Sequence, residues 1–355
     1  MKKFLSFLLF SFLTCIIPAQ NKRVLLEEFT GAHCGQCPMG SYTLDSLLGV
    51  YPELIGVSLH TYSIQDAMFF PQIDTIGTSY APGAPVGATD RIYWGSWPYV
   101  AETSANWNAR IQARLAVAPQ LSVIVNATWN SVTRNITTQI TTNILSNMAT
   151  GDYRFNLYVV EDSVTGTGSG YDQSNIYNGV SGNPFYGLGD PIVGYVHRHV
   201  VRAILPQSWG QSGLISSAPM MGQNFSTTMN YTLPASYNEN RVKLVAFVSE
   251  FTANHQGDEV FNVAEADLLS PSGIDEGLNE DIVSVCPNPS NGIFNLITKV
   301  EMDEIILSNI LGEVVLRKKL TQQQEVIDVS DEPAGIYILH ARLGSKSTMR
   351  KLIIH

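Results

Sequence analysis

The sequence predicts an α/β region followed by all-β regions: an α/β domain at the N-terminus, a β-sandwich in the middle and a small β-sandwich at the C-terminus. Three observations carry this expectation. Strand-like and helix-like apolar patterns alternate from residue 22 to about residue 119, the order typical of α/β folds. From 121 to about 268 the pattern changes to short period-two strands separated by Gly, Asn, Ser and Pro clusters, which suits an antiparallel sandwich. From 282 to the end, further short strands follow a polar, acidic stretch.

Taken in order, residues 1–20 carry Lys2 and Lys3, an apolar run from 4 to 17 and then Pro18-Ala19-Gln20. This is the layout of a secretory signal peptide, set aside from the fold. The run falls short of the roughly 20 residues that span a bilayer, and no later segment reaches that length, so no transmembrane segment is expected. Without Lys2 and Lys3 the chain keeps 19 basic against 31 acidic residues, a net charge of −12. Nucleic acid and anionic membrane surfaces are poor partners for such a chain. The charged fraction of 15% is below the roughly 25% of an average domain, and Thr, Ser, Asn, Gly and Tyr take its place, as in β-rich extracytoplasmic proteins.

Residues 23–29 form a strand candidate, 38–48 a helix with Leu44, Leu47 and Leu48 on one face, and 54–60 a second strand. A Pro/Gly-rich turn covers 81–87, and 100–115 reads as a closing helix. Strands are expected at 121–128, 135–141, 155–160, 196–204 and 242–247. Residues 270–281 are polar and Gly-bearing, hence a linker. The boundaries are 1–20 for the signal peptide, 21–119 for the α/β domain, 120–269 for the sandwich, 270–281 for the linker and 282–355 for the last module, which is long enough for a small sandwich.

With Cys15 removed in the signal peptide, Cys34, Cys37 and Cys286 remain. Cys34 and Cys37 form a CxxC between a strand and a helix. Unpaired N–H groups at a helix start stabilise a thiolate, so Cys34 is expected as an exposed nucleophile and Cys37 as the resolving thiol. The alternatives are a permanent structural disulfide, an idle site on a binding module, and a zinc site completed by His33 and His60. His197 and His199 are expected on one face of a strand; Glu161, Asp162 and Asp190 would complete a metal site, although packing roles are commoner for such residues. No cofactor is expected. Cys286 reads as a buried apolar residue.

The motif around Cys34 resembles a thioredoxin-type active site. Glu28-Phe29 stands where thioredoxins carry a buried acid, which implies that Glu28 handles the proton of Cys37. Pro85 in Ala84-Pro85-Val86 matches the proline loop that faces the dithiol and shapes the groove for client protein thiols. His33 replaces the usual Trp, and the first βα unit is lacking.

Residues 282–355 closely resemble the type A sorting domain of type IX secretion substrates, through Pro287-Asn288-Pro289 with Gly292, Leu307-Ser308-Asn309 to Gly312, Pro333-Ala334-Gly335-Ile336-Tyr337 and Lys351-Leu352-Ile353-Ile354. The resemblance implies a translocon partner, a surface sortase, and a destination at the cell surface, the outer membrane or outside the cell. Over roughly 22–268 the CGQC element, the stretches 157–162 and 195–202, and Val245-Ala246-Phe247-Val248 resemble the outer membrane protein 28-related family of Bacteroidetes, with Asn262 where a Gln is often found. Two functions stand open: a surface thiol-disulfide oxidoreductase, or a non-enzymatic surface binding protein or adhesin whose Cys34–Cys37 disulfide only fastens a loop. The middle domain is expected to be an immunoglobulin-like sandwich beside a thioredoxin-like domain.

Overall fold

The computed structural model describes residues 21–95, 97–269, 283–298, 302–309, 314–320, 322–343 and 346–355. The expected signal peptide and linker lie outside the described residues. The chain is mostly β with few helices and divides into two compact units, one ending at Leu268 and the other beginning at Leu269.

In the first unit, β1 (Val24–Thr30), α1 (Cys37–Val50) and β2 (Leu54–His60) come first. β1 and β2 pair in parallel from Val24↔Leu54 to Thr30↔His60. α2 (Pro71–Tyr80), β3 (Val86–Thr89) and α3 (Ser104–Leu115) follow, with β3 antiparallel to β1. All seven residues of β1 are buried, because its two faces pack on different cores. Val24 and Leu26 meet Leu44 and Leu47 of α1 and Trp107 and Ile111 of α3; Leu25 and Phe29 meet Ile73, Ile76 and Tyr80 of α2. A strand covered on both faces reads as a continuous apolar run. The sequence reading missed α2, although its buried Ile73, Ile76, Gly77 and Tyr80 fall at helical spacing.

β4 (Leu121–Asn130), β5 (Asn135–Ile144), β6 (Tyr153–Glu161), β7 (Val200–Leu205), β8 (Asn224–Thr232), β9 (Val242–Glu250) and β10 (Val260–Asp267) complete this unit. One sheet has the order β4-β5-β8, and the other runs β10-β9-β6-β7-β2-β1-β3. The expected boundary at 119/120 therefore does not separate two sheets. β7 joins β2 at Ser58↔Val200, where the Ser58 N–H donates to His199 O at 2.7 Å. The far edges also meet, since Val260 N–H donates to Asp90 O at 2.8 Å. Leu157 and Val159 of β6 pack with the β4-β5-β8 sheet, while Tyr158 and Val160 pack against the β1-β2-α2 side.

Buried charges at this seam are paired, as desolvation requires. Arg91 makes two 2.8 Å bonds to Glu27 and donates to the Tyr158 hydroxyl. Lys22 and Arg114 both hold Asp90. Between β6 and β7, residues 162–199 form a long insertion without strand or helix, a length at which loops are usually functional.

The second unit contains β11 (Val283–Cys286), β12 (Ile293–Thr298), β13 (Glu304–Asn309), β14 (Val314–Lys319), β15 (Gln324–Asp328), β16 (Gly335–Leu343) and β17 (Lys346–Ile354). Sheets β11-β12-β15 and β14-β13-β16-β17 enclose Phe294, Leu296, Ile305, Leu307, Ile327, Leu339 and Leu352. Asn288 ties the proline pair to the last strand: its Nδ2 donates to Lys351 O at 2.6 Å, and its Oδ1 accepts from Ile353 N–H at 2.9 Å. The Tyr337 hydroxyl donates to Pro333 O at 2.8 Å. Gly292 has φ +94°, and a Cβ there would stand 2.5 Å from Ser330 Cα, so only glycine fits. Gly312 lies outside the described residues. Cys286 is exposed rather than buried, since β11 alternates and turns this side chain outward.

Candidate redox site

The site begins where β1 ends. Cys34 and Cys37 are disulfide-bonded with their Cα atoms 5.3 Å apart. Cys34 N–H donates to Gly31 O and Cys37 N–H to Cys34 O, both at 3.1 Å, which coils the loop into α1. Cys37 is the first residue of the helix and Pro38 lies in its first turn, where the missing proline N–H costs nothing.

Glu28 is fully buried on the β1 face that looks toward α1. It stands in register with Ser58 on β2. The Ser58 hydroxyl donates to its Oε2 at 3.0 Å, and the Ser41 hydroxyl approaches its two oxygens at 3.2 and 3.3 Å. Burial pushes this carboxyl up to about 7, against the pull of the Ser58 and Ser41 hydrogen bonds. Gly40 lets these groups meet: a Cβ there would stand 2.7 Å from Glu28 Oε1 and 2.7 Å from Pro85 Cβ. Glu28, Pro85 and the first turn of α1 thus converge on one glycine, which the sequence reading did not single out. A glycine in the first turn of a helix is its only local signal.

Behind the loop, Asp66 Oδ2 accepts from Ala32 N–H at 2.7 Å and lies 2.8 Å from His60 Nδ1. Burial alone would raise the Asp66 carboxyl, but the His60 hydrogen bond and charge, with the Ala32 and Met68 amides, hold it below its ordinary value. His33 is half-buried, and its Nδ1 has no hydrogen-bond partner among the described residues.

The structure departs from two expectations. Cys34 is 3% exposed and Cys37 1%, so Cys34 is not an exposed nucleophile. The cause is the 162–199 insertion, which crosses the CxxC loop: Ser174 N–H donates to Ala32 O at 2.7 Å and Ile176 N–H to Gly35 O at 3.1 Å. His197 and His199 do not share a strand face either, because β7 starts only at Val200 and His199 has φ +55°. His197 Nε2 lies 2.7 Å from Tyr171 O, whereas His199 Nε2 lies 3.0 Å from Asp45 Oδ1. Burial and then the nearby His60 push the His197 imidazole down to about 4. Asp190 accepts from the Asn175 amide, and Glu161 pairs with Arg202. Among the described residues no cluster of His, Cys, Asp and Glu is arranged to hold a metal ion.

The family model described as outer membrane protein Omp28 matches residues 77–270, and that of the secretion system C-terminal sorting domain matches 284–355. The structure of HBP35 of Porphyromonas gingivalis is similar in fold, with a TM-score of 0.54 and 17% identity over 94% of this chain and 99% of that one. A domain of the outer membrane lipoprotein Omp28 from Porphyromonas gingivalis aligns with a TM-score of 0.25 and 15% identity, over 43% of this chain and 90% of that one. No curated protein matches the chain. With its sorting domain directing export to the cell surface or outer membrane, the chain belongs to the outer membrane protein Omp28 family.

Proposed function

We propose that the protein is a surface thiol-disulfide oxidoreductase, in which β1, α1, β2, α2, β3 and α3 make a thioredoxin-like unit that shares its sheet with an immunoglobulin-like sandwich. The observation that carries this reading is the isolation of Glu28. The other buried carboxylates Glu27, Asp66, Asp90, Glu102, Glu161 and Asp258 each face an Arg, Lys or His. Glu28, beside the dithiol helix, has only hydroxyl partners among the described residues. A buried acid without a cation destabilises the fold, and its place at a candidate site marks function rather than stability.

In the exchange, a thiolate of a client protein dithiol attacks Cys34 Sγ. The Cys34–Cys37 bond breaks with its electron pair on Cys37, and the neutral Glu28 carboxyl supplies the proton that Cys37 takes up. The second client thiolate then attacks the client sulfur of the mixed disulfide. Cys34 leaves as a thiolate stabilised at the start of α1, and the client has lost two electrons. Pro85 shapes the groove beside Gly40. The translocon, and a surface sortase acting at the C-terminal module, are the export partners of this reading.

The test is capture. In the reverse direction, with disulfide-bonded clients, Cys37→Ser in the full chain leaves the Cys34 thiolate to attack a client disulfide and lacks the Cys37 thiol that would release the client, so mixed disulfides accumulate on non-reducing gels, and Cys34→Ser shows none. If Cys37→Ser captures nothing while its Cys34 alkylates readily, the oxidoreductase reading falls. The burial of both cysteines favours a second reading, a surface binding protein with a structural disulfide; a reduction potential below about −300 mV would support it.

A further inference from the structure

We infer that residues 173–176 are a latched lid on the CxxC loop, and that the row of main-chain carbonyls they cover is the docking edge for an extended client polypeptide. The inference rests on the oxidoreductase reading. It starts from the carbonyls of Gly31, Ala32, Cys34 and Gly35, which turn toward the lid. Ser174 and Ile176, two residues apart, donate their N–H groups to Ala32 O and Gly35 O, so the loop offers main-chain acceptors of the kind that main-chain peptide recognition uses. The chain's own segment therefore holds the place of a client backbone.

The latch is Gln173, which is 2% exposed. Its Nε2 lies 2.9 Å from Cys34 O, 3.1 Å from Ala32 O, 3.3 Å from Gly31 O and 3.1 Å from Ser174 O. An amide nitrogen carries two hydrogens, so four acceptors compete for two donors. A partner offering main-chain N–H groups can serve these carbonyls as well as the lid does.

The lid is stiff within itself and lightly held below. Asn175, 1% exposed, donates to Phe185 O and Gly189 O and accepts from Tyr177 N–H, while its own N–H donates to Asp190. Residues 173–176 themselves add little apolar contact to the dithiol loop, since Ile176 rests on Gly35 but stays 55% exposed, while the insertion's apolar anchor beside Ala32, made by Val164 and Tyr171, lies outside them. A segment fastened by hydrogen bonds rather than by apolar burial belongs to the elements that open locally. It swings as a body, and the Cys34–Cys37 bond then meets an incoming thiolate.

Gln173→Glu tests this, because it sets a carboxylate of the same shape among four carbonyl oxygens. The full chain is treated under native conditions with a water-soluble phosphine, and disulfide reduction is followed by alkylation and mass. The variant should be reduced at least about tenfold faster than the wild type, and should oxidise reduced, unfolded ribonuclease faster by a similar factor. In the wild type, the Ser174 and Ile176 amides should exchange hydrogen at least about tenfold faster than those of Leu26 and Val57. If the variant is reduced no faster and these two amides exchange only with global unfolding, the lid is refuted; capture by Cys37→Ser still judges the oxidoreductase reading. If the variant is reduced quickly but oxidises no ribonuclease, the lid stands as a cover and the client edge and the oxidoreductase reading fall. Should Gln173→Glu not fold, amide exchange in the wild type decides.

Discussion

Replacing Glu28 with Gln should make the first unit more stable, and only at neutral to alkaline pH. The carboxyl is raised from 4.5 to about 7 by burial. At 1.36 kcal/mol per unit, the ionised form is disfavoured in the folded state by about 3 kcal/mol. The sign follows from linkage. Below about pH 4.5 the group is protonated folded and unfolded, and nothing is lost; between about 4.5 and 7 the folded state holds a proton the unfolded chain has released, so stability falls as pH rises; above 7 the full penalty is present. Gln keeps an oxygen for the Ser41 and Ser58 hydroxyls and never ionises. The variant should gain about 2–3 kcal/mol near pH 8.5 and nothing near pH 4. Urea unfolding followed by Trp fluorescence measures this cleanly, because Trp94, Trp97, Trp107, Trp129 and Trp209 all lie in the first unit. An equal gain at both pH values, or none at pH 8.5, would refute the account of Glu28 as an unpaired buried acid.

Two further outcomes are expected. Arg91→Met strands the buried Glu27 carboxylate and should cost about 3–5 kcal/mol, while Arg91→Met with Glu27→Leu should recover most of it; a single variant as stable as wild type in the same urea titration would overturn the assigned pairing. Deleting 282–355 should leave a folded protein in the periplasm, since the first unit has its own cores and the deletion removes the sorting domain; surface labelling at wild-type level would contradict this.

Much of the site was legible because it is local. A strand running into a loop and a helix sets Cys34, Cys37 and Glu28 by short-range spacing, and the proline and glycine turns of the C-terminal module announce themselves through backbone restriction. α2 is hard to read from sequence because its buried stripe holds only three large apolar residues, Ile73, Ile76 and Tyr80, and the strand expected at 196–204 begins late because His199 takes a left-handed φ.

The sequence by itself determined the strand, CxxC loop, helix and second strand from β1 to β2 and the sorting domain at the C-terminus, since each follows from neighbours within a few turns of chain. Only the tertiary structure decided that strands on both sides of residue 119 share one sheet and that Cys34 is covered. Gln173 reaches Cys34 O across 139 residues of sequence, and no periodicity or turn chemistry encodes a contact made between distant segments brought together by a shared core.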